Sequence, residues 1–192
     1  MKQYNVFPEC NVDSNLVGHI LGGYAKHKSC CNEVVKAVNS TDEFAVGIID
    51  ADKRMATMDA GFTKYEQPEG CEGRNVHIDM YIHQDEKRYM FTVKPTMDRF
   101  IMDAAAEVNV SLQVAGFSNT LAGFKKDTKK IQAANDPKLR RLFQQIADSQ
   151  ELTRFRNSLK YLMAKQYDAK PSVVKQFFDG ELTTANIADM LI

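Results

Sequence analysis

The most regular feature of the chain is an apolar run from Phe44 to Ile49, which contains no polar side chain and is rich in β-branched residues. Such a run is typical of a strand that is buried on both faces of a parallel sheet. The run ends at Asp50 and Asp52, two carboxylates that share one side of an extended segment. Ligands of open α/β sheets bind outside the carboxyl ends of the strands. The pattern therefore places this pair where chemistry is expected.

The residues before this run predict a first strand and two helices. Residues 2–8 are apolar enough for a short strand, which ends at Glu9. Apolar residues then recur at i, i+3 and i+4, and Asp13 or Ser14 is suited to cap the helix that they predict. A second short helix is predicted over residues 32–38. The order is strand, helix, helix, strand, and a carboxylate follows each strand.

The residues after the apolar run predict a loop and a hairpin. Residues 53–75 contain several glycines and few periodic apolar positions, which indicates a long loop. Alternation over residues 76–82 predicts a half-buried strand, and residues 88–93 predict its antiparallel return. We expect the polar face of this hairpin to meet solvent rather than a metal, since antiparallel pairs commonly show such alternation. That face carries His77, Asp79 and His83.

The second half of the chain is predicted to be helical. Pro95 and Thr96 indicate the start of a helix whose first turn contains Asp98, where the helix dipole alone favours a carboxylate. Later helices are predicted over residues 124–134, 137–147, 151–167, 171–178 and 183–192. The predicted class is α/β. A mainly parallel sheet flanked by helices over 1–110 would pack with a helical C-terminal lobe over 111–192 as one compact unit.

Composition limits the function classes. The chain has 192 residues, of which 44% are hydrophobic, enough for one sizeable core. The formal net charge is zero, so no global field attracts nucleic acid or an anionic membrane surface. A zinc site that combines cysteine with His19 or His27 would lack the usual ligand spacing. With no long apolar run or basic leader, we expect a cytoplasmic protein without membrane contact and with free thiols at Cys10, Cys30, Cys31 and Cys71.

A local excess of positive charge lies in the helical half. Besides four lysines between residues 125 and 130, it includes Lys138, Arg140 and Arg141, whereas the acidic residues in this stretch are Asp127 and Asp136. Such a cluster either contacts nucleic-acid phosphates or forms the solvated faces of amphipathic helices. If the carboxylates at the strand ends hold a metal ion that acts on a polyanion, positive charge is needed nearby to bind the polyanion. We therefore take four lysines as candidate nucleic-acid ligands: Lys125, Lys126, Lys129 and Lys130.

The carboxylates after the first two predicted strands should meet. Parallel neighbouring strands end at the same edge of a sheet, about 4.8 Å apart. Glu9 can then converge with Asp50 and Asp52 on one divalent cation, since oxygen ligands suit Mg²⁺. The alternative is structural, because Asp commonly ends strands by starting turns and capping helices.

These residues also resemble a known family. Glu9-x-x-x-Asp13 after a first strand, then an amphipathic helix and an apolar strand ending in Asp50-x-Asp52, looks like the Toprim (topoisomerase-primase) domain. The resemblance extends to compact Toprim nucleases related to the OLD family and covers residues 1–110. The family commonly has Gly directly after the glutamate, where this chain has Cys10.

The resemblance implies Mg²⁺- or Mn²⁺-dependent hydrolysis of phosphodiester bonds in DNA or RNA. It implies that Glu9, Asp50 and Asp52 are catalytic residues that bind the metal ion. It also adds Asp98 as a fourth candidate metal ligand. It also associates the chain with bacterial defence against phage, together with a protein partner. Two alternatives stay open: a non-catalytic interaction module on the same fold, and a receiver-like phosphotransfer domain. The oligomeric state is open as well.

Overall fold

The computed structural model describes residues 5–23, 25–51, 57–69 and 74–190. These residues form one five-stranded sheet. Its strands in chain order are β1 Val6–Pro8, β2 Ala45–Asp50, β3 Phe62–Lys64, β4 Ile78–His83 and β5 Arg88–Val93. Across the sheet the order is β1-β2-β5-β4-β3. The pairs β1–β2 and β2–β5 are parallel, and β4 is antiparallel to both of its neighbours. All strands except β4 therefore run in the same direction.

Helices flank this sheet on both sides. They are α1 Asn11–Leu21, α2 Cys31–Asn39, α3 Met97–Glu107, α4 Leu121–Thr128, α5 Pro137–Gln145, α6 Gln150–Lys165, α7 Pro171–Asp179 and α8 Thr184–Met190. Short 3-10 helices span Ile131–Asn135 and Gln166–Asp168. Among the described helices, none is long and apolar enough to cross a membrane. The expected α/β class, with a mostly parallel sheet flanked by helices, is confirmed.

Strand β2 is buried on both of its faces, as the apolar run predicts. Ala45 and Ile49 pack against α2, whereas Val46 and Ile48 belong to the larger core on the other face. Gly47 lets α2 and the side chain of Met90 on β5 approach closely, because a Cβ at this position would lie 3.0 Å from Val34 Cγ1 and 2.3 Å from the Met90 sulfur. The apolar run therefore joins two cores, and it carries Asp50 at its end.

The helices after residue 110 share the larger core with the sheet. The rings of Phe91 and Phe155 meet edge to face, with their centroids 5.3 Å apart. The buried Asn15 amide on α1 donates to the carbonyl oxygens of Ala133 and Asp136, at 2.7 and 3.1 Å. Its oxygen accepts from Arg140 Nε at 3.2 Å. Both apolar packing and hydrogen bonds therefore link α1 and the sheet to the C-terminal helices.

Three local predictions differ from the structure. Strand β3 lies inside the predicted loop 53–75, because its order comes from pairing with β4 rather than from its own sequence. The helix predicted over 124–134 is divided into α4 and a 3-10 helix. The helix predicted to begin after Asp13 or Ser14 begins at Asn11 instead.

The prediction that the polar face of the hairpin meets solvent is also wrong, since even the Asp79 side chain is only 15% exposed. His83 is only 4% exposed, since Gly61 crosses the imidazole so closely that a Cβ there would lie 2.2 Å from Nε2. The two ring nitrogens of His77 lie 2.9 Å from carboxylate oxygens of Glu151 and Asp103. These contacts join β4 to α3 and α6, so they are structural.

Gln166, the first residue of the 3-10 helix that follows α6, has an unfavourable backbone conformation, with φ 49° and ψ −113°. This region of φ and ψ suits glycine, because a Cβ clashes with the backbone there. We expect Gln166→Gly to raise the free energy of unfolding by about 1 kcal/mol, measured by urea denaturation. The matched change Gln144→Gly, at an exposed position within α5, should lower it by up to about 1 kcal/mol. A loss of stability in Gln166→Gly would contradict this prediction.

Candidate active site

The carboxyl ends of β1 and β2 bring together the first two predicted carboxylates. Glu9 follows β1 directly, and its N–H donates to the Ile48 carbonyl oxygen at 3.1 Å. The Asp50 N–H donates to Glu9 Oε2 at 3.0 Å, so the Glu9 carboxylate lies at the end of β2. Asp50 Oδ1 accepts from the Met97 N–H at 2.8 Å, at the start of α3. Parallel pairing thus places Glu9 and Asp50 at one edge, as the sequence predicts.

Helices α1 and α3 add two more carboxylates. Asp98, in the first turn of α3, is 6% exposed and accepts a hydrogen bond from the Thr128 hydroxyl. Asp13, in the first turn of α1, is 1% exposed. The Cys10 N–H donates to Asp13 Oδ2 at 3.1 Å, and the Cys10 thiol donates to Asp13 Oδ1 at 2.9 Å. The acidic cluster, which consists of Glu9, Asp13, Asp50 and Asp98, therefore collects side chains from two strand ends and two helix starts.

Two side chains of the acidic cluster, Asp13 and Asp50, have raised pKa values. Burial raises the pKa of Asp50 to about 8, and repulsion from Asp13, Glu9 and Asp98 adds to the rise, while the Met97 N–H opposes it. Burial likewise raises the pKa of Asp13 to about 7, with further repulsion from Glu9 and Asp98, against the hydrogen bonds from Cys10. Near neutral pH the cluster therefore retains protons. A bound cation would replace them, because it removes the same repulsion.

A cavity of about 320 Å³ opens onto the acidic cluster. Its floor includes Glu9, Asp50 and Asp98, whereas Asp13 is absent from its lining. Its walls come from the first turn of α1, from a segment that contains His27 and Ser29, and from the end of α4. A larger cavity, of about 970 Å³, lies elsewhere, beside α6 and α7, and none of the four carboxylates lines it.

The other residues that the sequence predicts for the site do not all lie at the cavity. Asp52 lies outside the described residues. Lys129 lines the cavity. Lys130 forms an exposed ion pair with Asp127 at 2.9 Å. Lys125 and Lys126 belong to α4 but do not contribute to the cavity lining.

The donor chemistry of the acidic cluster fits a hard divalent cation, which prefers oxygen ligands. The side-chain arrangement is less complete, since within the described ranges no group of three or more His, Cys, Asp or Glu residues is arranged to hold a metal ion. In this arrangement Glu9 accepts a hydrogen bond from Asp50, Asp13 from Cys10, and Asp98 from Thr128. Metal binding would therefore require these carboxylates to reorient.

Sequence reasoning missed three residues of this site. The sequence predicts Asp13 as a helix cap and as part of the Glu9-x-x-x-Asp13 motif, but not as a member of the acidic cluster. Thr128 carries no recognisable signal, because its contact with Asp98 joins residues that are 30 positions apart. His27 was considered only for zinc, and its place in the cavity depends on how the chain returns to β1.

The fold and the site define an α/β protein with a carboxylate-lined cavity at the carboxyl ends of its parallel strands. Comparison with models of known protein families finds no match, and comparisons with curated proteins and with solved structures find none either. The functional argument therefore depends on the geometry of the site.

Proposed function

We propose that this protein is a metal-dependent nuclease of the Toprim type, which hydrolyses phosphodiester bonds in nucleic acid. The observation that supports this function most directly is the acidic cluster itself. Asp13 and Asp50 have pKa values raised to about 7 and about 8, beside two further carboxylates and an open cavity. Strongly perturbed titratable groups that converge on a cavity are characteristic of functional sites.

The proposed metal ligands are the three carboxylates on the cavity floor, Glu9, Asp50 and Asp98. Asp52 is a further candidate from the sequence. A bound Mg²⁺ or Mn²⁺ would stabilise charge on the phosphate and lower the pKa of a water molecule. The Met97 N–H and the Thr128 hydroxyl orient Asp50 and Asp98, respectively.

Cys10 takes the position where Toprim domains commonly have glycine. Its N–H and its thiol both bond to Asp13, so they hold that buried carboxylate at the base of the site. Burial, followed by repulsion from Asp13, raises the pKa of the thiol far above its ordinary value, so Cys10 stays protonated. We propose that Cys10 has a positioning role here and is not a nucleophile.

A non-catalytic interaction module is the second candidate function. The hydrogen bonds that already occupy Glu9, Asp13 and Asp98 favour it, since carboxylates with such partners can simply cap and tie elements. The two candidates differ in one measurable property, because only the nuclease requires a divalent cation.

The nuclease is tested with labelled DNA and RNA incubated with millimolar Mg²⁺ or Mn²⁺ and, separately, with a chelator. We expect cleavage by the wild-type protein only with the cation, and a loss on the order of 100-fold in Glu9→Gln, because one ligand is neutralised. The matched control is Glu181→Gln, at an exposed position away from the cavity, and it should cleave normally. Wild-type protein that cleaves neither substrate with either cation would favour the interaction module.

A further inference from the structure

One wall of the cavity is an extended segment that runs beside β1. The Lys26 and Lys28 N–H groups donate to the Val6 and Pro8 carbonyl oxygens, at 2.8 and 2.9 Å. This spacing is that of a strand added parallel to β1. Both lysine ammonium groups lie over the Phe7 ring, 5.7 and 5.4 Å from its centroid. Side chains alternate along such a segment, so His27 is directed to the other side, where it lines the cavity.

A second wall is the C-terminal end of α4. The Thr128 hydroxyl donates to Asp98, which fixes the last turn of this helix above the cavity floor. Lys129 is the next residue, its N–H donates to the Lys125 carbonyl oxygen at 3.1 Å, and its exposed side chain lines the cavity. Lys130 instead pairs with Asp127. One lysine of this basic segment is thus held at the acidic cluster while its neighbour is not.

These two walls give the cavity a distinct charge pattern. Nitrogen donors from His27 and Lys129 border a floor of carboxylates, and the first turn of α1 adds the partial positive charge of a helix start. A phosphate that bridges to a cation on the floor would find hydrogen-bond donors on either side. At about 320 Å³ the cavity is near the lower limit of small-molecule sites, which span roughly 300–1,000 Å³. It therefore has room for one backbone phosphate and its surroundings.

We propose that His27 and Lys129, which line two walls of the cavity, bind the reacting phosphate of a nucleic-acid strand. The inference rests on the proposed function, since carboxylates repel phosphate unless a divalent cation lies between them. It assigns substrate-binding roles to two residues, one of which lies outside the basic cluster of the helical half.

The test measures binding separately from cleavage. The probe is a fluorescein-labelled single-stranded phosphorothioate oligo(dT) of roughly eight nucleotides, within the site size of about 4–16 nucleotides for single-strand binders. Its affinity is followed by fluorescence anisotropy in millimolar Mg²⁺ for the wild-type protein, His27→Gln and Lys129→Gln. We expect each variant to weaken binding about tenfold, and Lys129→Gln to reduce the salt slope by about one.

Two matched variants separate this phosphate site from general surface charge. Lys130→Gln removes the same charge one residue away from Lys129, and Lys28→Gln changes the residue beside His27 on the opposite side of the segment. Both should change the affinity by less than about twofold, since the Lys130 side chain is exposed and paired with Asp127, and the Lys28 ammonium lies over the Phe7 ring on the other side of the segment. If Lys130→Gln weakens binding as much as Lys129→Gln, or if His27→Gln binds normally, the proposed phosphate site is wrong.

The outcomes also separate this inference from the nuclease itself. Wild-type protein that cleaves normally, together with His27→Gln and Lys129→Gln variants that bind and cleave as well as it does, would overturn only the phosphate site. Binding that depends on both residues, without cleavage of an ordinary phosphodiester, would support the phosphate site and overturn the nuclease. A wild-type protein that does not bind the probe overturns the phosphate site, and one that in addition cleaves neither DNA nor RNA overturns both.

Discussion

Asp50→Asn is expected to stabilise the metal-free protein at pH 8 and, in the same variant, to remove its affinity for divalent cations. The pKa of Asp50 is raised to about 8 by burial and by repulsion from Asp13, Glu9 and Asp98, so folding opposes its ionisation. Asparagine has nearly the same shape and keeps an oxygen for the Met97 N–H. It carries no charge, so it removes the repulsion and also the ligand.

The expected size of this stabilisation follows from the pKa. Each unit of pKa difference between the folded and unfolded states corresponds to about 1.4 kcal/mol. We expect the free energy of unfolding to rise by at least about 2 kcal/mol at pH 8, measured by urea denaturation with a chelator. Calorimetric titration with Mn²⁺ then reports the loss of binding. The control Asp42→Asn, at an exposed carboxylate, should leave both quantities unchanged.

A variant that is less stable than the wild-type protein at pH 8 and still binds Mn²⁺ would contradict the assignment of Asp50. Stabilisation combined with lost binding is informative because ordinary core damage cannot produce it. Residues that hold a strained or repulsive arrangement for function commonly show this trade-off.

The free energy of unfolding of the metal-free wild-type protein is expected to fall as the pH rises from about 4 to about 8. Asp13 and Asp50 have raised pKa values, about 7 and about 8, against 3.8 for an unperturbed aspartate. The folded state therefore holds more protons than the unfolded state in this range. The contribution of the protonated Asp13 and Asp50 side chains to the free energy of unfolding is complete below pH 4 and is lost as the pH rises through 7 and 8.

Urea denaturation at pH 5, 6, 7 and 8 measures this slope, with a chelator and with saturating Mg²⁺. A divalent cation should restore stability at pH 8, because it replaces the lost protons in compensating the repulsion. The slope should be shallower in Asp50→Asn. A flat profile in the chelator, or a profile that Mg²⁺ does not change, would contradict the picture of an acidic cluster that binds either protons or a cation.

The core of the fold and of the site could be predicted from the sequence where the signal is local. The apolar run gives β2, and the parallel arrangement of β1 and β2 places Glu9 beside Asp50. Strand β3 could not be predicted in this way, since three residues without an apolar pattern become a strand only by pairing with β4. The start of α1 was missed because Cys10 is an unusual residue at a helix cap.

The remaining parts of the site depend on contacts between distant residues. Asp98 was expected near the metal edge, but its partner Thr128 comes from the helical half. His27 enters the cavity only because its segment adds to the edge of β1, and nothing in its immediate sequence indicates that pairing. Spacing rules describe residues on one element, whereas this cavity is assembled from several.

The hydrogen bonds of Asn15 have a consequence for cooperativity. They connect α1, which carries Asp13, to the segment before α5, just as Thr128 connects α4 to α3 and Asp98. Two of the four carboxylates, Asp13 and Asp98, therefore belong to helices that are hydrogen-bonded to the C-terminal half. A chain that ended near residue 110 would keep the acidic residues but lose the packing that makes them neighbours. We therefore expect assembly of the acidic cluster to be coupled to folding of the C-terminal half.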